Sequence, residues 1–359
     1  MNKNRACLLL LLCCIALFFD PIRSVAEQNS PNPISGLSYE IMYPNNQKNK
    51  NLGYFDLSMQ PGKEQKVVIK LYNSLPQKIT TQIRLNGAKT NSIGKVEYGP
   101  NNLNNDDSLM LDFINIVKGP KKLIIPAKSS TEVEFTISVP NTATNGLIAG
   151  GIQLQPLDDS KSSDKKSKDL VVNEFAYLVG MLLRVGDTSE IKPKLELNKI
   201  YIGFKDAKSH LFVNLSNIHP VYVEGMTISV QVRKSNKQKI LFEHQQKSMR
   251  MAPNTMIDAP IDLADKKMSA GKYTAQITVT ADHGQKWSWI EDFKVTKPQA
   301  NRIKEEAKGN SSSTSLWLWF VLLMGVFVSL LSALGYQRVR KKKWKIRMEP
   351  KKKKSKKKF

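Results

Sequence analysis

Cysteine is nearly absent: Cys7, Cys13 and Cys14 are the only three in 359 residues, all inside the first apolar run. With that run removed as a leader no thiol remains, which excludes a disulfide framework, a cysteine nucleophile and thiolate-bound metal together. Histidine is almost as scarce. His210, His219, His244 and His283 are scattered, none stands in a His-Glu-x-x-His pair, and no Gly-x-Ser-x-Gly elbow occurs. Zincin and α/β-hydrolase chemistry are therefore not encoded. A glycosidase is not excluded by motif, because paired carboxylates can come from anywhere in a chain, yet the acids here mostly alternate outward on strands or sit in loops. No Leu-Pro-x-Thr-Gly precedes the late hydrophobic run, which argues against a sortase-linked adhesin. The expectation is a non-enzyme with no catalytic residues, no metal ligands and no cofactor.

Acids are also in short supply, 31 Asp and Glu against 55 Lys and Arg, for a net charge of +24. The excess is not spread evenly. Fourteen of the cations fall in the last 23 positions, 337–359, facing the single acid Glu349, so that tail alone carries +13. A nucleic-acid binder carries its positive charge on a folded face interleaved with aromatics that stack on bases. Charge collected in a tail points elsewhere, and nucleic acid is not expected as a partner.

What is present begins with hydrophobic runs. Leu316 to Tyr336 holds no charge, and at about 1.5 Å per residue it matches a hydrocarbon thickness of about 30 Å. The expectation is one C-terminal transmembrane helix over 316–336, with Trp317, Trp319 and Tyr336 as headgroup-zone anchors. Arg338 and Arg340 open a cytoplasmic tail over 337–359 that rests on anionic lipid. At the other end Lys3 and Arg5 precede an apolar run, and Ser24-Val25-Ala26 supplies small residues for cleavage, so 1–26 reads as a signal peptide. The expected location is the cell membrane, single-pass, with the N-terminal domains outside at the cell-wall interface and the C-terminus in the cytoplasm.

Between these ends, strand-like segments recur every ten to fifteen residues with turn residues between them. The alternation is clearest where Val133, Phe135, Ile137 and Val139 take one side and Glu132, Glu134, Thr136 and Ser138 the other. Such spacing predicts strands with one buried face, hence an all-β chain of two tandem β-sandwich, immunoglobulin-like domains. The boundaries read as 27–189 and 190–297, followed by a polar stalk over 298–315. The charged, Ser-rich stretch between Gln155 and Val171 reads as a hairpin tip, because it cannot bury a core. Phe175 to Val185 reads as a strand buried on both faces. Asn102-x-Asn104-x-Asp106-Asp107 lacks the turn glycine and the bidentate Glu of a calcium loop, so an ordinary Asn-rich loop is expected. Gly150-Gly151 reads as close strand packing or a bulge.

Several segments, in order, carry a family likeness. Asn51 to Asn73, Asn86-GAKTNSIGKVEYG and Asn145-GLIAGGIQL make the first domain resemble the peptidoglycan-binding domain of the membrane-anchored WxL-interacting proteins of Gram-positive bacteria. Met251-APNT, Ser269-AGKYTAQITVTA and Trp287-SWIEDFKV make the second resemble their host-binding domain. The resemblance implies a surface scaffold that contacts peptidoglycan, meets secreted WxL-domain surface proteins, and touches host extracellular matrix or cells. A wall-associated enzyme or export chaperone is the alternative. Asn86, Lys89, Thr90, Asn91, Tyr98 and Asn101 form a candidate ligand-binding surface, with amides and hydroxyls for sugars or peptide stems and Tyr98 to stack on a ring. A polar loop network is the plainer role. Trp287 and Trp289 share a strand face, where core packing is expected ahead of a binding stripe.

Overall fold

The computed structural model describes residues 36–157, 175–264, 266, 268–307, 319–329, 332 and 336. Alternation of apolar and polar residues has built two layered units, each with its own buried cluster. In the first, a four-stranded sheet runs in the order β1 (Leu37–Met42), β3 (Glu64–Asn73), β9 (Ser130–Ser138), β7 (Val117–Lys118). Against it lies a five-stranded sheet of β2 (Phe55–Met59), β11 (Tyr177–Val185), β10 (Gly146–Leu157), β4 (Ile79–Gly87) and β8 (Lys122–Ile125). Val133, Phe135, Ile137 and Val139 are buried and Glu132, Glu134 and Ser138 exposed, as a one-sided strand requires. Each such side chain fully removed from water contributes about 1.5–3 kcal/mol. A short helix, α1 (Phe113–Ile116), drops Phe113 into this core.

β11 is interior, antiparallel to β10 and parallel to β2. Its burial on both faces begins only at Met181, since Leu178 is 45% exposed.

The second unit stacks β12 (Leu195–Lys205), β13 (Lys208–Asn217) and β16 (Thr255–Asp262) on a sheet of β15 (Ile240–Met251), β14 (Val223–Lys234), β17 (Gly271–Thr280) and β18 (Lys286–Val295). Residues read as the start of a polar stalk instead form a docked helix, α2, over 297–307. Its start is a capping box: the Thr296 N–H donates to Gln299 Oε1 at 2.9 Å, and the Gln299 N–H lies 3.5 Å from Thr296 Oγ1. Ile303 is buried against the second core, Glu306 accepts from the N–H and hydroxyl of Ser209, and Arg302 stacks 3.5 Å over Phe204. The polar composition concealed Ile303, which with Ala300 is enough to dock the helix against the second core.

The transmembrane part of the expected fold is corrected. Among the described residues no helix is long and apolar enough to cross a membrane. Among the described residues the continuous helical run within 316–336 covers 319–329, which at about 1.5 Å per residue is roughly half of a hydrocarbon core of about 30 Å. The single-pass membrane location, which rested on that span, falls with it. Trp319 and Tyr336 are 64% and 70% exposed. Trp317, Arg338 and Arg340, the signal peptide, the insert over 158–174, the rest of the stalk and the basic tail lie outside the described residues.

Candidate functional site

The polar residues singled out in the sequence part company in three dimensions, and the outer face of the five-stranded sheet explains how. On β10, residues 147, 149, 151, 153 and 155 point away from the first core. At one end of this face Leu147 and Leu182 are covered by Val221 of the second unit, with Ala149, Ile191 and Tyr222 around them. At the other end Gln153 and Gln155 lie beside Arg84 and Gln82 of β4, away from the described residues of the second unit.

The covered end is a seam built by one hairpin. β5 (Lys89–Thr90) and β6 (Val96–Glu97) project from the first unit onto β15 and β16 of the second. Asn91 shapes the hairpin loop: its Oδ1 accepts from the N–H groups of Ile93 and Lys95, and its amide donates to Glu97 at 2.7 Å. Gly94, at φ +73°, lets the loop turn and touch Met249; a Cβ there would stand 2.5 Å from the Met249 Cβ. The Gly94 carbonyl accepts from Arg250 N–H at 2.8 Å and the Ile93 carbonyl from Gln246 at 3.0 Å. Thr90 closes a buried ring of three bonds. Its hydroxyl pairs with Thr255 at 2.6 Å, Thr255 donates to the Ala252 carbonyl, and the Ala252 N–H donates back to Thr90 Oγ1.

Tyr98 meets Tyr222 hydroxyl to hydroxyl at 3.0 Å, and Arg250 lies 3.9 Å over the Tyr222 ring while binding Glu224. Burial, with Tyr98 alongside, pushes the Tyr222 phenol well above its ordinary value. Asp106, from the Asn-rich loop, accepts from Ser108 and from the Ser216 hydroxyl of β13, so its carboxylate ties the loop to the second unit. Sequence reading missed the pairs that cross between the units, Thr90 with Thr255, Tyr98 with Tyr222 and Asp106 with Ser216, because each is separated by more than a hundred residues.

Lys89 sits buried in the same seam, its ammonium without a hydrogen-bond partner. Burial depresses its pKa, and Asp112 and Asp106 oppose that only in part. Beside the seam opens a cleft of about 230 Å³ between Asp112, Ser108 and Gly87 of the first unit and Pro220 and Asn254 of the second.

Asn86 and Asn101 stay out of the seam. Asn101 closes a local turn with Gly99 and Leu103. Asn86 stands on the open end of the sheet face, opposite Gly151. Gly151 is glycine because the Tyr98 carbonyl lies 2.5 Å from where a Cβ would be, and Gly150 because the Phe113 ring occupies the same space on the inner face. Trp287 and Trp289 are half-buried and pack against the second core.

On the open end, Arg84 donates to Gln82 Oε1 at 2.8 Å and reaches Gln153 and Gln155 at 3.4 Å. The guanidinium has no carboxylate partner among the described residues. One cue was present in the sequence: β4, β8 and β10 contain Arg84 and Lys122 and not one acid.

Comparison with known proteins adds identity to this geometry. Residues 38–156 match the family model for the WxL Interacting Protein, peptidoglycan binding domain, and residues 166–305 that for the WxL Interacting Protein, host binding domain. No curated protein matches the chain. Among solved structures it is similar to the class 5 fimbriae chaperone CfaA, at 13% identity over 71% of this chain and 99% of that one, with a TM-score of 0.28. It is also similar to the E. coli chaperone DraB (10% identity, 72% and 98% covered, TM-score 0.26) and to the Pseudomonas aeruginosa CupB2 chaperone (10%, 65% and 95%, 0.27). TM-scores of 0.26 to 0.28 define neither a fold nor a function.

Proposed function

The chain belongs to the WxL-interacting protein family, and on that premise we propose that it is a surface scaffold that grips peptidoglycan with its first sandwich and presents its second to secreted WxL-type proteins and host matrix. Peptidoglycan-binding and host-binding domains in tandem make it a cell-surface binding protein. The observation that carries the finer reading is that tandem match. We place the domain boundary in the 186–193 connection between β11 and β12, with helix α2 belonging to the second domain. The seam supports the reading physically: the hairpin of one domain plugs the side of the other through buried hydrogen bonds and an apolar cluster, so the two move as one body. A load on the partner-binding domain is then passed to the wall-binding domain through packed contacts, not through a slack linker.

The test is a pull-down of the full-length protein on purified peptidoglycan and on a WxL-type protein, beside an assay for released sugar or peptide. Retention on both without turnover is the expected result. Release of wall fragments, or retention on neither, would overturn the scaffold reading.

A further inference from the structure

We propose that the open end of the five-stranded sheet is the wall-contacting surface, and that it recognises the free carboxylates of peptidoglycan stem peptides through Arg84. This deepens the reading above and rests on it. The argument begins with hydrogen-bond valence. A guanidinium only donates, so the oxygens of Gln82 and Gln153 must face Arg84. Their amide nitrogens are left without an acceptor among the described residues. Gln82 and Gln153 therefore offer donors outward, beside a cation that neutral amides orient but do not neutralise. Lys122, opposite Gln82 on the edge strand β8, adds a second positive charge.

The other outer face of the same sandwich makes the contrast. There Lys66 pairs with Glu134 at 2.8 Å, Lys70 stands in register between Glu40 and Glu132, Tyr72 donates to Glu40, and Ser138 donates to Glu64. Charge on that face is answered within the protein. On the Arg84 face it is not answered among the described residues, and a planar donor fork beside primary amides matches a carboxylate in geometry and charge. The strands that carry it have no acid to repel such a ligand. Lys122, in register with Gln82 on the neighbouring strand, gives a polymer with repeated carboxylates a second cation on the same face.

The experiment uses the full-length protein and three preparations of purified wall: untreated, stripped of phosphate polymers, and with its carboxylates converted to neutral amides. Arg84→Gln and Gln153→Glu are compared with wild type, the second placing an acid beside the guanidinium to neutralise it from within. Thermal melting checks that both variants are folded. The expected result is that each variant, and amidation of the wall for wild type, lowers retention by about tenfold, while stripping the phosphate polymers leaves it unchanged. Variants retained as well as wild type, or wild type retained in full on amidated wall, would overturn the carboxylate site while leaving wall binding standing. Loss on phosphate stripping alone would overturn it in favour of a phosphate ligand. Wild type that fails to bind any wall would overturn the wall-binding reading and this site with it.

Discussion

Along one strand, residues that point the same way meet opposite ends: Leu147 and Ala149 of β10 are packed under the second domain, while Gln153 and Gln155 lie beside an exposed guanidinium. The seam holds more of the polar groups that looked like ligand contacts, yet nearly all are consumed. Thr90 has Thr255 and Ala252, Tyr98 has Tyr222, Asn91 has its own loop. The open end holds fewer, and there the amide nitrogens of Gln82 and Gln153 have no acceptor among the described residues. Polar side chains signal binding only where the protein leaves them unsatisfied, because a buried donor that already has its acceptor gains nothing from a ligand.

The sharpest way to break this contrast is at Gly94. Gly94→Val combines a left-handed backbone with a collision against Met249, and should cost about 3 kcal/mol or more. The expected readout is a large fall in melting temperature with new protease cleavage between the domains. A variant that melts and resists protease like wild type would mean that the hairpin does not clamp. Thr90→Val comes next. It leaves the buried Ala252 N–H without its acceptor, for a loss of about 1–3 kcal/mol in denaturant unfolding.

Lys89 is the exception within the seam, and it runs the other way. Lys89→Met should raise stability near neutral pH by about 1–2 kcal/mol, since it removes a buried, unpartnered ammonium. The pH dependence fixes the sign. Its folded pKa lies below the ordinary 10.5, so between those values the unfolded chain holds more protons and stability rises with pH. Below that window the full penalty applies. The methionine variant should lose that slope in an alkaline unfolding series, and an unchanged slope would assign it to other groups. The smallest effect belongs to the open end. Gln82→Ala should change stability by no more than about 0.5 kcal/mol, and a larger loss in thermal melting would mean that the ladder serves the fold.

Much of the architecture was legible beforehand. Period-two alternation in Glu132 to Val139 gave the buried side of β9 residue by residue, and Gly150-Gly151 was read as a place of close approach, which Phe113 and the Tyr98 carbonyl fill. Helix α2 was hidden because its apolar content is a single docked isoleucine with small alanines. The uncharged run over 316–336 had suggested a membrane span, and the described helix there does not reach that length. Among the site residues, Asn86 is legible only as one polar member of a candidate surface, and Arg84 not at all, since one arginine in a strand says nothing of which strands pair beside it and whether they bring an acid.

Sequence by itself determined the local terms: which faces of the strands are apolar, where glycine is required, and that the chain has no thiol outside its first run. These follow from side-chain periodicity and covalent chemistry, which need no knowledge of distant residues. Tertiary structure alone decided which polar groups are already spent. Thr90 finds Thr255 across 165 positions and Tyr98 finds Tyr222 across 124, whereas among the described residues the Arg84 guanidinium bonds to the amides of Gln82, Gln153 and Gln155. Hydrogen-bond satisfaction is a property of pairs brought together by folding, and no single position carries it.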